Sequence, residues 1–293
     1  MAAKCRSIEL NAGSQAIQAL AGDGSEVAIT LKPWRSKLDT QIAGLNVHAQ
    51  GSIGAPILLI TGPPLGALVF EHVQRRMAPR RSIAVELVQI PIAQANLKGL
   101  VAKMDEVVAA SGASAVVAHG LAVPVAMRMQ GVRVYISNGP LQRPDTVMRG
   151  LTSAGQSTLA QLILQPNLAL RWMSSSAGLR RAVVNPYVMD RDTVVRLSEA
   201  VLSTAESRKS AASWIKAVAA DLEQDWVVKA SEVFGIWGDS DPLYPLGQLR
   251  KALVGPGANT LSIIPGGRNM HVVERPWELA DRVMEREEAL PTT

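Results

Sequence analysis

The sequence predicts an α/β fold: a mostly parallel, doubly wound sheet with helices on both faces and a helical segment inserted late in the chain. Three observations predict it. Short apolar runs rich in Val and Ile alternate with segments of helical spacing, the pattern of parallel strands joined by crossover helices. One run, Ser114 to Met127, passes through a tight corner of small residues and leaves at helical spacing, as a buried strand turning sharply into a helix does. Residues 145–226, by contrast, hold helical stretches, Pro166, Pro186 and a run of serines, but no convincing strand.

Length and composition set the bounds. A chain of 293 residues, 47% hydrophobic and 19% charged, has the profile of a soluble globular protein able to bury a large core. Aromatics are only 4%, so that core is built from Ala, Val, Leu and Ile. Cys5 is the sole cysteine and forms no intramolecular disulfide, which fits a reducing compartment. Lys4 and Arg6 precede no apolar run of signal-peptide length, and no apolar stretch reaches membrane-spanning length, so a cytoplasmic protein without a transmembrane segment is expected. The net charge of +5 and the pairs Arg75-Arg76, Arg80-Arg81 and Arg180-Arg181 leave an anionic partner open. Without interleaved aromatics or a nucleic-acid module these pairs read as solvated surface, and no specific nucleic-acid binding is expected.

In chain order, residues 1–33 form an N-terminal extension with weak alternation at Val27 to Leu31 and a turn signal at Gly22-Asp23-Gly24; an edge strand, a hairpin or a docking arm all fit. Gly44 to Gly51 alternates as a hairpin strand. Ile57 to Ile60 reads as a buried strand opening into Thr61-Gly62-Pro63-Pro64, followed by a helix over Phe70 to Met77 and a β-rich run from Ser82 to Gln89. Leu97, Leu100, Val101, Met104, Val107 and Val108 follow helical three-four spacing. After the corner, Val132 to Ser137 is a strand ending at Asn138-Gly139-Pro140. Residues 145–226 are expected to form a helical lid inserted between core segments 34–144 and 227–293. Val233 to Trp237 and Thr260 to Ile264 restore the strand pattern around a helix from Leu246 to Leu253, and a helix from Trp277 to about Glu287 closes the chain.

Three motifs in this order resemble the α/β-hydrolase superfamily, over roughly residues 35–288. Ala118-His119-Gly120-Leu121-Ala122 stands where the family's G-x-S-x-G nucleophile elbow would be. Gly238-Asp239-Ser240-Asp241-Pro242 is similar to the acid loop, and Ile264 to Pro276, with Glu274-Arg275-Pro276 at its end, to the histidine loop. The resemblance implies a triad, and this chain departs from it twice. Asp241 matches the acid. Gly120 occupies the nucleophile position and has no side-chain atom to attack with, and Asn269 occupies the base position, where an amide exchanges no proton near neutral pH.

The resemblance also implies an oxyanion hole from the Leu121 N–H and a residue after Gly62. That residue is Pro63, which has no N–H. His271 is a substitute base only if the loop shifts by two residues. His119 is expected to be packed or hydrogen-bonded behind the turn, and Asp239 to be structural. Glycine relaxes a turn that strains other residues, so Gly120 is either a stabilising relic or a means of enlarging the pocket. No histidines and carboxylates have metal-ligand spacing, so neither metal nor cofactor is expected.

Two functions fit. One is a catalytically inactive pseudoenzyme that binds a small hydrophobic molecule or a protein partner in or around a lidded pocket. The other is an enzyme doing non-covalent acid/base chemistry (a lyase, cyclase or isomerase) or residual hydrolysis on a small molecule, with Asp241 as the acid or base, His271 as a secondary candidate and the Leu121 N–H holding a carbonyl.

Overall fold

The computed structural model describes residues 16–20, 26–30, 40–91, 96–141, 175–185, 189, 191–221, 228–247, 249 and 261–289. The chain divides into two compact units, residues 1–37 and 38–293. In the first, β1 (Ala16–Leu20) and β2 (Glu26–Thr30) pair antiparallel, Leu20 opposite Glu26 and Ala16 opposite Thr30. The turn signal Gly22-Asp23-Gly24 lies outside the described residues.

Among its described residues the second unit holds eight more strands in one sheet: β3 (Thr40–Ile42), β4 (Leu45–Gln50), β5 (Ile53–Thr61), β6 (Arg80–Val85), β7 (Ala115–His119), β8 (Arg133–Ser137), β9 (Glu232–Gly238) and β10 (Leu261–Ile264). Their order is β10-β9-β8-β7-β5-β6-β4-β3. β3 and β4 form an antiparallel hairpin at one edge, β4 is antiparallel to β6, and every other pairing is parallel. Parallel strands covered on both faces lose polar alternation. Accordingly, Ile57 to Ile60 and Ala115 to Ala118 are fully buried.

Helices cover both faces. α1 (Glu71–Met77), α2 (Leu97–Ser111) and α3 (Val123–Ala126) connect the central strands. The Asn96 side chain caps α2 by accepting from the Gly99 N–H at 2.9 Å, and Gly112 ends it at φ 68°, the left-handed conformation a helix stop uses. α4 (Ser176–Ala182), α5 (Arg191–Leu202) and α6 (Ala205–Asp221) lie between β8 and β9, and α7 (His271–Glu274) and α8 (Pro276–Ala289) follow β10. One apolar core includes Met104, Val116, Trp214 and Trp237; the other, on the opposite face, includes Phe70, Val73, Val117, Phe234 and Val283. The doubly wound α/β class expected from the sequence is therefore the observed one.

Details differ. The turn before α1 is a 3-10 segment, Ala67–Phe70, and the run expected to continue as strand to Gln89 ends at Val85. There Glu86 turns inward, and its carboxylate accepts the Ala67 N–H at 2.9 Å. The expected helix from Leu246 to Leu253 falls mostly outside the described residues. Among the described residues no strand lies between Ser137 and Glu232. The helices of this stretch are tied to the core: the Gly66 N–H donates to Leu197 O at 2.8 Å, Arg196 pairs with Glu71 at 2.7 Å, and Ser210 Oγ donates to Ile90 O at 2.8 Å. No helix among the described residues is long and apolar enough to cross a membrane.

Candidate active site at the strand-to-helix turn

β7 ends at His119, which sits opposite Thr61 of β5 and Ser137 of β8, so three loops leave the sheet side by side at this level. Gly120 makes the turn at φ 58°, and no described atom lies within 4 Å of the point a Cβ would occupy. Its N–H donates to Asn138 O at 2.8 Å. Gly62 packs directly on Leu121: a Cβ there would lie 2.5 Å from the Leu121 Cβ. The close approach brings the Gly62-Pro63 loop against the first residue after the turn.

Asp241, 4% exposed, lies beyond β9. Its Oδ1 accepts the Leu243 N–H at 2.8 Å, its Oδ2 accepts the Asn138 side-chain amide, and the Tyr244 N–H and the Asn269 side chain bond to it as well. Burial pushes its carboxyl up to about 6, and these neutral donors offset only part of that shift. Asp241 and Asn269 are therefore in contact.

Sequence reasoning passed over the residue that connects this site. Asn138 donates to Asp241, accepts the Gly238 N–H on its side-chain oxygen at 2.9 Å, and accepts the Gly120 N–H on its backbone oxygen, all from a φ of 37°. Its only signal was an Asn at the end of a strand before Gly-Pro, the residue type besides glycine that best tolerates a left-handed backbone. Asp239, beside the acid, accepts the Gly266 N–H at 2.7 Å and ties the β9 loop to the turn after β10.

His119 and His271 lie behind the turn, both fully buried, with rings edge to face at 6.2 Å. His119 Nδ1–H donates to Ser137 O at 2.7 Å. His271 Nδ1–H donates to Arg268 O at 3.0 Å, which leaves its Nε2 to accept from Ser137 Oγ at 2.9 Å. Burial lowers His119 to about 4. Burial and the neighbouring His119 lower His271 to about 3, so both rings are neutral at pH 7.

The loop after β10 is fastened to α4. The Arg268 guanidinium donates to Arg180 O and, at 3.1 Å, to Val183 O; the Met270 N–H donates to Ala182 O at 2.8 Å. The Glu274 carboxylate accepts the Val184 and Asn185 N–H groups at 3.0 and 2.6 Å. Among the described residues no cluster of three or more His, Cys, Asp or Glu side chains is placed to hold a metal ion.

The sequence matches no protein-family model and no curated protein. Solved structures do match in shape. An α/β-hydrolase-fold protein from Burkholderia ambifaria superposes with a TM-score of 0.63 at 17% identity, over 83% of this chain and 95% of its own. Cfl2 from Burkholderia cenocepacia gives 0.66 at 16%, over 84% and 94%. An epoxide hydrolase from Vigna radiata gives 0.64 at 16%, over 86% and 98%. The chain has the α/β-hydrolase fold; identities this low carry the fold alone.

Proposed function

We propose that this chain is an α/β-hydrolase-fold protein that binds without cleaving: a pseudoenzyme that engages a small hydrophobic molecule or a protein partner. The observation that carries this reading is Gly120, at φ 58° on the turn after β7, with no side-chain atom to add to an ester or an epoxide. Two features support it. An amide, Asn269, stands against Asp241 where an imidazole would be needed to shuttle a proton. Pro63, in the loop packed on Leu121, gives no N–H to a developing oxyanion, a loss that costs about two to three orders of magnitude in rate even beside an intact triad. The inserted helices, fastened to the core near Gly66 and Ile90, serve as the cap of the binding site.

The test is labelling of the purified chain with a fluorophosphonate probe together with ester and epoxide panels. The expected outcome is no labelling and no turnover above the buffer rate; labelling at a serine within the site overturns the reading. Affinity purification from the native cell, with mass spectrometry of co-purifying proteins and metabolites, then identifies what is bound.

One observation favours a second reading. A carboxyl held near pH 6 is half-ionised close to neutrality and can both take and give a proton, as a lyase or isomerase requires. A co-purifying metabolite that is converted, with the conversion lost in Asp241→Asn, supports this reading; a metabolite that is bound but converted by neither wild type nor variant supports the first.

A further inference from the structure

Two asparagine amides meet at Asp241, and they differ in what they leave open. Asn138 is fully buried and fully used: its NH2 donates to Asp241 Oδ2, and its side-chain oxygen accepts the Gly238 N–H at 2.9 Å. Asn269 is half-buried and also bonds Asp241 through its side chain. At pH 7 the Asp241 carboxyl, pushed up to about 6 by burial, is mostly ionised and can only accept. The bond therefore fixes the Asn269 amide, with its NH2 toward the acid and its carbonyl oxygen turned from it. Among the described residues nothing donates to that oxygen.

Asp241 itself has no lone pair to spare. Asn138, Asn269 and the Leu243 and Tyr244 N–H groups supply four donors, which match the four acceptor positions of a carboxylate. The open side-chain atom of this shell is therefore a carbonyl oxygen, and a ligand engages it only by donating a hydrogen bond. The neighbouring loops bring apolar side chains, Leu65 after Gly62-Pro63 and Leu243 after the acid, both partly buried against the core. Gly120 is tied to the same shell through its N–H on Asn138 O at 2.8 Å, and the space where its side chain would begin holds no described atom within 4 Å.

We propose that Asn269 is the polar anchor of the binding site and that the ligand is an apolar alcohol, whose hydroxyl donates to the Asn269 carbonyl oxygen. An ether or ester of the same shape offers only acceptors and leaves that oxygen unpaired, so the site selects for the donor. The assignment rests on the reading of the Gly120 site as one that binds without cleaving, and it names what is held there.

The full chain is titrated by calorimetry with benzyl alcohol, cyclohexylmethanol and 1-octanol, and with the methyl ether of each, which keeps the apolar body and has no donor. At least one alcohol is expected to saturate a single site and to bind about tenfold or more tightly than its ether. Asn269→Ala removes that preference: the alcohol weakens by about tenfold, to the level of the ether, whose own affinity moves by less than about twofold and so reports an intact pocket. Asn269→His keeps the preference, since an imidazole donates to Asp241 through one nitrogen and presents the other as an acceptor. Equal affinities for alcohols and ethers in the wild type, a preference that survives Asn269→Ala or is lost in Asn269→His, or failure of all three alcohols to saturate in the millimolar range each overturns the assignment. None of these probes holds an ester or an epoxide. An inert chain without the preference therefore overturns this assignment alone, whereas turnover of the ester panel overturns the reading beneath it.

Discussion

Asp241 and Glu287 are both buried carboxylates, 4% and 8% exposed, and the fold satisfies them by opposite means. Asp241 is held by neutral donors, two side-chain amides and two backbone N–H groups. Glu287 is held by charge: Arg133 grips it through two bonds at 3.0 and 2.8 Å, Arg80 adds a third at 3.3 Å, and the Tyr135 hydroxyl donates at 2.7 Å. The first environment leaves a carboxyl that titrates near neutrality. The second pins strands β6 and β8 to α8 through a permanent ion cluster, and it raises the Arg133 guanidinium and the Tyr135 hydroxyl above their ordinary ranges, Arg133 mainly through its bond to Glu287 and Tyr135 mainly through burial. The difference separates a site that keeps chemical freedom from one that serves as a rivet.

Removing the rivet has the largest expected effect. Glu287→Ala strands two guanidiniums and a buried hydroxyl; with the arginines about a quarter exposed, the loss should be about 3 kcal/mol, at the low end for a broken buried pair. Urea unfolding measures it, and a loss under about 1 kcal/mol shows the cluster to be solvated after all.

The pH dependence is next, and its components oppose each other. His119 and His271 have folded values near 4 and 3, below the ordinary 6.5, so their contribution is present above pH 6.5 and falls away as pH drops toward those values. Asp241, at about 6 against an ordinary 3.8, has the reverse sign: its contribution is present below 3.8 and is lost as pH rises through 6. Two histidines outweigh one aspartate, so stability should fall by about 2–3 kcal/mol between pH 7.5 and 5. Asp241→Asn should steepen that fall by removing the opposing contribution; a shallower fall contradicts the burial-driven shift.

Gly120→Ala comes third. The added methyl meets no described atom within 4 Å, so only the left-handed backbone resists it, and the cost should be about 1–2 kcal/mol in unfolding free energy. A larger loss would mean that the space is filled. Asp241→Asn at pH 7.5 opposes two effects: it removes a buried charge, but its new NH2 faces a shell made of N–H donors, so a modest net loss of about 1 kcal/mol is expected in urea unfolding.

The strands were legible because burial on both faces writes itself as uninterrupted runs such as Ile57 to Ile60. Gly120, Asp241 and Asn269 were legible because turn and loop residues sit at fixed offsets from strand ends. Asn138, Ser137, Glu86 and Glu287 were not, because each acquires its partner across the sheet or from a distant helix. His119 meets Ser137 through the register of β7 and β8, and Glu287 meets Arg133 at a separation of 154 residues, a distance no local pattern records. Of the Arg pairs, Arg76 and Arg80 find carboxylates on α8, Asp281 and Glu287, 205 and 207 residues away, pairings that no local pattern records either.

The fastening of Arg268 to α4 also dictates an assembly order. The helix ends at Ala182, yet Arg268 Nη1 donates to Val183 O, just beyond that end, from 85 residues downstream, and Glu274 holds the next two backbone amides from 90 and 89 residues away. Such distant closures are slow steps in folding. During synthesis α4 therefore emerges with its exit unanchored and is secured only once residues 268–274 have followed it, so a chain stalled before them exposes this junction to a protease.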